Sequence, residues 1–191
     1  MQAANPHRSA QSDRPVAAPS PWIVRHGQGL GDGCTVLDVA CGGGRHVRYF
    51  LNRGCRVTGV DRDPGAAAVI GDGRFEFIVQ DLEDGSPWPL AQRTFDAVIV
   101  TNYLHRPLLP RIVSAVAPGG RLLYETFAAG NERFGRPRNP RFLLRRCELL
   151  TAVAGSLHVQ QYEDLETPRP ARIQRLAATR DPASKARGPS P

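Results

Sequence analysis

The chemistry of this 191-residue chain is concentrated at the end of one apolar segment. Val36-Leu37-Asp38-Val39-Ala40-Cys41-Gly42-Gly43-Gly44-Arg45-His46 reads as a strand that carries an acid, turns through small residues and opens into a helix. A turn without side chains lets a ligand approach the main chain, and the first amides of the following helix face an anionic end. A second apolar segment closes in Asp61, 23 residues after Asp38. Together these features describe a nucleotide-binding corner. Two common occupants fail on the residues. The dinucleotide fingerprint G-x-G-x-x-G, begun at Gly42, meets Val47 where its third glycine belongs. A P-loop needs a lysine directly after its glycines, and the single lysine, Lys185, is far from any glycine run.

Apolar segments rich in Val, Ile and Leu end at Asp38, Asp61, Asp81, Asn102 and Glu125, with successive gaps of 23, 20, 21 and 23 residues. Each gap holds a strand, a crossover helix and turns, which predicts parallel strands over 35–39, 56–60, 75–79, 95–101 and 121–126. Ligands of an open parallel sheet bind outside the carboxyl ends of its strands, so five polar strand ends predict a site along one edge. Taken singly, each acid equally well starts a loop.

The sequence Asp38-Val39-Ala40-Cys41-Gly42-Gly43-Gly44, followed by Arg45-His46 and by Asp61 at the second strand end, resembles the first motifs of class I S-adenosylmethionine-dependent methyltransferases. It is similar in wording to the small bacterial enzymes of the tellurite-resistance type, with Ala40 in place of the first glycine. The resemblance runs from about Trp22 to about Thr179. It implies an α/β, Rossmann-like, doubly wound and mostly parallel seven-stranded sheet with one antiparallel strand near the edge. It also implies S-adenosylmethionine as cofactor and S-adenosylhomocysteine as product. By the same resemblance Asp38 lies near the methionyl end, and the backbone of Ala40, Cys41, Gly42 and Gly44 lines the methionine and ribose. Asp61 then accepts from the ribose hydroxyls, Arg62 flanks the adenosine, and Asp81 and Leu82 complete the cofactor site. Asn102 and Tyr103 face the methionyl group.

Methyl transfer from a sulfonium is an in-line displacement that requires position rather than a metal. A base helps when the acceptor is an O–H or a protonated N–H, and the imidazole of His105 is a candidate for that role. His105 is equally a helix-start residue packed on the protein. Glu125 is a second candidate base or a loop-orienting residue, and Tyr103 completes the catalytic candidates. Weaker substrate candidates are Trp22 and Arg25, on a helix capped by Ser20 with Pro21 in its first turn, and Asn131 and Glu132, directly after the fifth strand. Arg133, Arg136, Arg138, Arg141, Arg145 and Arg146 follow in a Gly-, Asn- and Pro-bearing loop, which reads either as a solvated connector or as a substrate lid. A helix is expected over 143–154, and the resemblance adds strands over 157–166 and 171–179.

With 41% hydrophobic residues the chain can bury one full core over 21–180, and no apolar run approaches the roughly 18 residues of a membrane span. Residues 1–20 are polar and proline-bearing, unlike a secretory signal, and together with 181–191 are expected to be disordered. Cys34, Cys41, Cys55 and Cys147 form no C-x-x-C pair, so no metal is expected and reduced thiols fit a cytoplasmic location. Of the net charge of +7, residues 168–191 carry +5, which reads as a basic tail and weakens an RNA-binding face. The expected function is methyl transfer to a small-molecule acceptor. The alternatives are an RNA or protein methyltransferase that uses the arginine-rich loop and tail, and a non-catalytic S-adenosylmethionine-binding protein.

Overall fold

The computed structural model describes residues 17–65 and 67–182. The arm expected over 1–20 lies outside them except for 17–20, as does the tail from 183 onward. Seven strands form one sheet: β1 (Thr35–Val39), β2 (Arg56–Asp61), β3 (Phe75–Val79), β4 (Phe95–Thr101), β5 (Val116–Phe127), β6 (His158–Glu166) and β7 (Arg172–Thr179). Their order is β3-β2-β1-β4-β5-β7-β6, and β7 runs antiparallel to both β5 and β6 while the other pairs are parallel. This is the mostly parallel sheet with one antiparallel strand near the edge that the resemblance implies. Among the described residues four α-helices accompany it: α1 (Pro21–His26), α2 (Arg45–Leu51), α3 (Leu109–Ser114) and α4 (Glu148–Val153).

The period-two alternation of the strands sorts their side chains into two cores. Val36, Ala97, Ile99, Leu123 and Ala177 pack with Ile23 of α1 and Val47 and Phe50 of α2. Leu37, Val39, Val98, Val100, Leu122 and Leu176 face the opposite side with Ile112 of α3 and Leu149 of α4. Both faces are therefore covered, as a parallel sheet requires. Ser20 caps α1 by accepting from the Trp22 amide, with Pro21 in the first turn, as its sequence predicts. The Ala117-Pro118-Gly119-Gly120 turn lies inside β5, at the register shift beside Phe95. Glycine is required there, since Gly119 has φ +79° and a Cβ on Gly120 would approach the Phe95 carbonyl to 2.8 Å.

Three expectations are corrected. Among the described residues the β2–β3 and β3–β4 crossovers contain no helix. Pro64, Gly65, Gly71 and Gly73 interrupt the first crossover, and Gly85, Pro87 and Pro89 the second. Aspartates close local turns instead: Asp63 accepts from the Gly65 amide (3.0 Å), Asp72 from Arg74 (2.8 Å), Asp81 from Glu83 (2.9 Å) and Asp84 from Ser86 (2.8 Å). The helix expected over 143–154 begins only at Glu148. Leu144 is drawn into a parallel bridge with Ala128, its N–H donating to the Phe127 carbonyl and its own carbonyl accepting from Ala129 (both 2.9 Å). Cys147, at φ 57°, then resets the chain.

The third correction concerns charge. Three of the arginines counted with the basic tail, Arg172, Arg175 and Arg180, belong to β7 and its end. Arg172 pairs with Asp164 at 2.6 Å, Arg175 with Glu125 at 2.6 Å and Glu163 at 3.2 Å, and Arg180 donates to the carbonyls of Val116 (2.8 Å) and Val113 (2.9 Å).

Because Leu144 is fully buried at the bridge, Leu144→Ala is expected to lower the unfolding free energy by about 2–5 kcal/mol, read from urea denaturation. Leu150→Ala, only partly buried, should cost clearly less. Equal losses would place Leu144 on an ordinary helix face.

Candidate functional site

The glycine corner forms where β1 hands over to α2. Ala40, Gly42 and Gly44 all have positive φ, 54°, 52° and 75°. Gly44 cannot be replaced freely, since a Cβ there would come within 2.9 Å of Ile70 Cδ1. Ala40 accepts a conformation that L-residues enter at a cost of about 1–2 kcal/mol. The turn is held from the neighbouring strand. Asp61, the last residue of β2, accepts from the Gly42 amide at 2.8 Å through one carboxylate oxygen and from the Asp63 amide at 3.0 Å through the other.

Beside this clamp lies a cavity of about 260 Å³, lined by Ala40, Asp61, Arg62, Gln80, Asp81, Leu82, Glu83, Tyr103 and Phe142. The structure thus brings together Ala40, Asp61, Arg62, Asp81, Leu82 and Tyr103 from the sequence-derived set. Gln80 and Glu83 were missed, although they flank Asp81 in the same loop. Phe142 carries no local signal, because it enters from a loop 60 residues farther on than Leu82. Three carboxylates face one guanidinium, and Arg62 lies 3.9 Å from Asp81. The field of such a cavity favours a cationic ligand.

The segment after β4 closes the far wall. Asn102 takes a left-handed conformation (φ 55°), and its amide donates to the Glu125 carbonyl at 2.9 Å. Tyr124, which the alternation of β5 assigns to packing, donates its hydroxyl to the Tyr103 carbonyl at 2.9 Å. Burial, then the Glu83 and Asp81 carboxylates, push the Tyr103 phenol up, so it is a neutral hydroxyl at physiological pH. His105 Nδ1 lies 3.9 Å from a Glu83 carboxylate oxygen.

Asp38 lies inside β1 at 1% exposure, and neither of its carboxylate oxygens has a hydrogen-bond partner among the described residues. Burial pushes its carboxyl up to about 7 against the pull of Arg45, and Asp61 adds to the rise. His46 Nδ1 stands 4.0 Å away. The other ring nitrogen accepts from the Ser20 amide at 3.1 Å, which assigns the ring proton to Nδ1, and burial and Arg45 push His46 down to about 3. Burial likewise raises the Cys41 thiol, which is inert.

Other expected residues lie elsewhere. Glu125 points to the α1 side of the sheet, where Arg175 holds its carboxylate at 2.6 Å and stacks 5.7 Å from the Trp22 ring. Trp22 is buried against His26, and Arg25 is exposed. Asn131 is buried with its amide already used, donating to the Pro137 carbonyl (3.2 Å) and accepting from the Arg172 amide (3.1 Å). Glu132 accepts from the Gly130 amide at 2.8 Å and borders a separate cavity of about 350 Å³.

The strand order, the glycine corner on β1 and the acid closing β2 match the Rossmann-like fold of class I methyltransferases. A methyltransferase-domain family model matches residues 36–120. Over 64 residues, a third of the chain, it is 48% identical to a ribosomal RNA small subunit methyltransferase H of Gemmatimonas aurantiaca, spanning 20% of that protein. Over 110 residues, 50% of the chain, it is 33% identical to the mitochondrial ubiquinone biosynthesis O-methyltransferase of Schizosaccharomyces pombe, spanning 39% of that protein. The chain therefore matches less than half the length of either curated relative. In fold it superposes on a TehB-like S-adenosylmethionine-dependent methyltransferase from Corynebacterium glutamicum with TM-score 0.60 and 21% identity, covering 84% of this chain and 88% of that one. The acid-rich cavity beside the glycine corner suits such a cofactor, whose sulfonium and ammonium are cationic.

An unfolded aspartate ionises near pH 4, whereas folded Asp38 keeps its proton to about 7. The folded state binds the extra proton in that window, so this group lowers stability as pH rises through it. Asp38→Asn removes the effect. Its gain in unfolding free energy should be absent near pH 4, grow to about pH 7 and level off above at a few kcal/mol, read by urea titrations across that range. A pH-independent difference would mean that Asp38 ionises like a surface acid.

Proposed function

We propose that this protein transfers the methyl group of S-adenosylmethionine to a small-molecule acceptor by in-line displacement. The observation that carries the reading is the acid-lined cavity built from Ala40, Asp61, Asp81, Leu82 and Tyr103 against the glycine corner. Bound there, the cofactor supplies a methyl group already activated as part of a sulfonium.

The chain's own residues hold and orient. Asp61, fixed by two backbone N–H groups, presents its remaining lone pairs to the ribose hydroxyls. Asp81 and the backbone at Leu82 border the adenine, with Arg62 covering it from solvent. The main chain from Cys41 to Gly44, exposed at Gly42 and Gly43, lines the methionine, beneath which Asp38 contributes a carboxylate that ionises more readily once a cation is near. Asn102 and Tyr103 form the wall nearest the methionyl end, where Tyr103 serves as a neutral hydrogen-bond donor. For an O–H or protonated N–H acceptor, His105 takes the proton: Glu83 stands near Nδ1, which leaves Nε2 as the accepting nitrogen.

A small acceptor is supported by where the arginines are used. Arg106, Arg133, Arg172, Arg175 and Arg180 are engaged within the domain, which reduces the charge available to a polynucleotide. The ribosomal RNA methyltransferase relative favours the second reading, an RNA acceptor.

Thermal unfolding with S-adenosylhomocysteine, set against NAD at equal concentration, tests the cofactor. A ligand at about a hundred times its Kd adds roughly 2.7 kcal/mol, a plain rise in Tm. A rise with NAD and none with S-adenosylhomocysteine would overturn the proposal. Asp61→Ala should abolish the rise, and an undiminished rise would remove Asp61 from the ribose.

A further inference from the structure

The cofactor cavity has a neighbour of opposite charge. The cavity of about 350 Å³ beyond β5 is bordered by Arg106, Glu132, Arg138, Arg141, Leu143 and Arg145, among others. Arg106 is occupied. Its guanidinium pairs with both oxygens of Glu148 (2.6 and 2.9 Å) and donates to the carbonyls of Arg141 and Leu143 (both 2.8 Å). Glu132, the only acid on this wall, turns one carboxylate oxygen to the Gly130 amide. The side chains of Arg138, Arg141 and Arg145 have no hydrogen-bond or ion-pair partner among the described residues. Arg138, Arg141 and Arg145 thus border one concavity whose wall carries a single acid, Glu132, while Glu148 nearby feels the charge of Arg145.

Their backbone is pinned. Arg141 donates its amide to Asn139 Oδ1 (3.0 Å), Leu144 bonds Phe127, and Asn131 ties Pro137 to the start of β7. A planar fork on a fixed backbone suits a carboxylate or phosphate, which it can grip through two parallel hydrogen bonds. The position matters as much as the charge. Pro140, Arg141 and Leu143 line this cavity, whereas Phe142, between them, lines the cofactor cavity. One short turn, Pro140–Phe142, separates the two sites.

We propose that the arginine cavity is the recognition subsite for the methyl acceptor, and that this acceptor is a small molecule bearing a carboxylate or phosphate. The inference rests on the methyltransferase reading and narrows its substrate class. The carboxylates of the cofactor cavity repel the acceptor's anionic group, while Arg138, Arg141 and Arg145 attract it. Opposite fields on the two sides of the Phe142 turn thus orient the molecule, so that its nucleophilic end faces the methyl group.

Phenyl phosphate and benzoate serve as probes, with neutral benzamide as the control and a single-stranded RNA oligonucleotide as the polyanion. Their binding is measured by calorimetry on the full chain saturated with S-adenosylhomocysteine, and again without it. Phenyl phosphate or benzoate should bind where benzamide does not. The double variant Arg138→Gln/Arg141→Gln should weaken them at least about tenfold while leaving S-adenosylhomocysteine affinity unchanged, which also shows that the variant folds. Equal binding by variant and wild type, or no preference for the anions over benzamide, overturns the proposal. So does RNA binding that falls steeply with salt and is lost in the variant while the small anions do not bind. Failure of S-adenosylhomocysteine to bind the wild type would instead strike the cofactor reading, since the anion measurement without it stands independently.

Discussion

The carboxylate of Asp61 connects the two strands on which the site is built. It closes β2 and takes the Gly42 amide at 2.8 Å, so the glycine turn after β1 is held in register with its neighbour. Three residues of that turn have positive φ, a conformation kept only where the surroundings impose it. The same carboxylate also accepts from Asp63, which starts the loop toward β3. One acid therefore shapes the turn, directs the next crossover and borders the cavity. Loss of Asp61 would change both the turn and the wall of the cavity.

Charge is divided along the carboxyl edge of the sheet. Asp61, Asp81 and Glu83 make the β2–β3–β4 half receptive to a cation, and the loop after β5 gathers unpaired arginines. Arg106 keeps the two apart. By binding Glu148 and two loop carbonyls it fixes the turn that carries Phe142 into one site and Arg141 into the other. The arginines of β7 do different work, pairing across strands where a buried or half-buried charge requires a partner.

Asp38 and His46 form a second buried unit beneath the turn. Both are neutralised by burial, Asp38 toward its protonated form and His46 as the imidazole bonded to Ser20. Their protonation effects on stability oppose one another between about pH 4 and 6.5. His46 resists folding when protonated and Asp38 when ionised. The pair thus joins the α1 cap, the first strand and the cofactor turn in one contact.

Local chemistry made much of this legible in the chain. The Ser20-Pro21 cap, the apolar strands of period two and the small residues from Ala40 to Gly44 act through neighbours a few positions away, and the structure contains them where the sequence places them. The polar strand ends pointed to an edge, and Asp61, Asp81 and Tyr103 do meet there. Tertiary packing decided the rest. Leu144 fits an amphipathic helix by spacing, yet a strand end with free backbone groups bound it first. The same spacing that predicts crossover helices cannot weigh the prolines, glycines and aspartate turns that replaced two of them. Glu125 and Asn131 are polar and stand beside the expected site, but their partners, Arg175 and Arg172, come from β7, more than 40 residues away. Phe142 shows no signal of its own and reaches the cavity only because Arg106 and the Leu144 bridge fold its loop back. Sequence alone determined which residues can turn, cap or alternate, since those preferences are properties of neighbouring bonds. Which charges are spent on one another and which are left for a ligand depends on distances through space, and these were decided only by the folded chain.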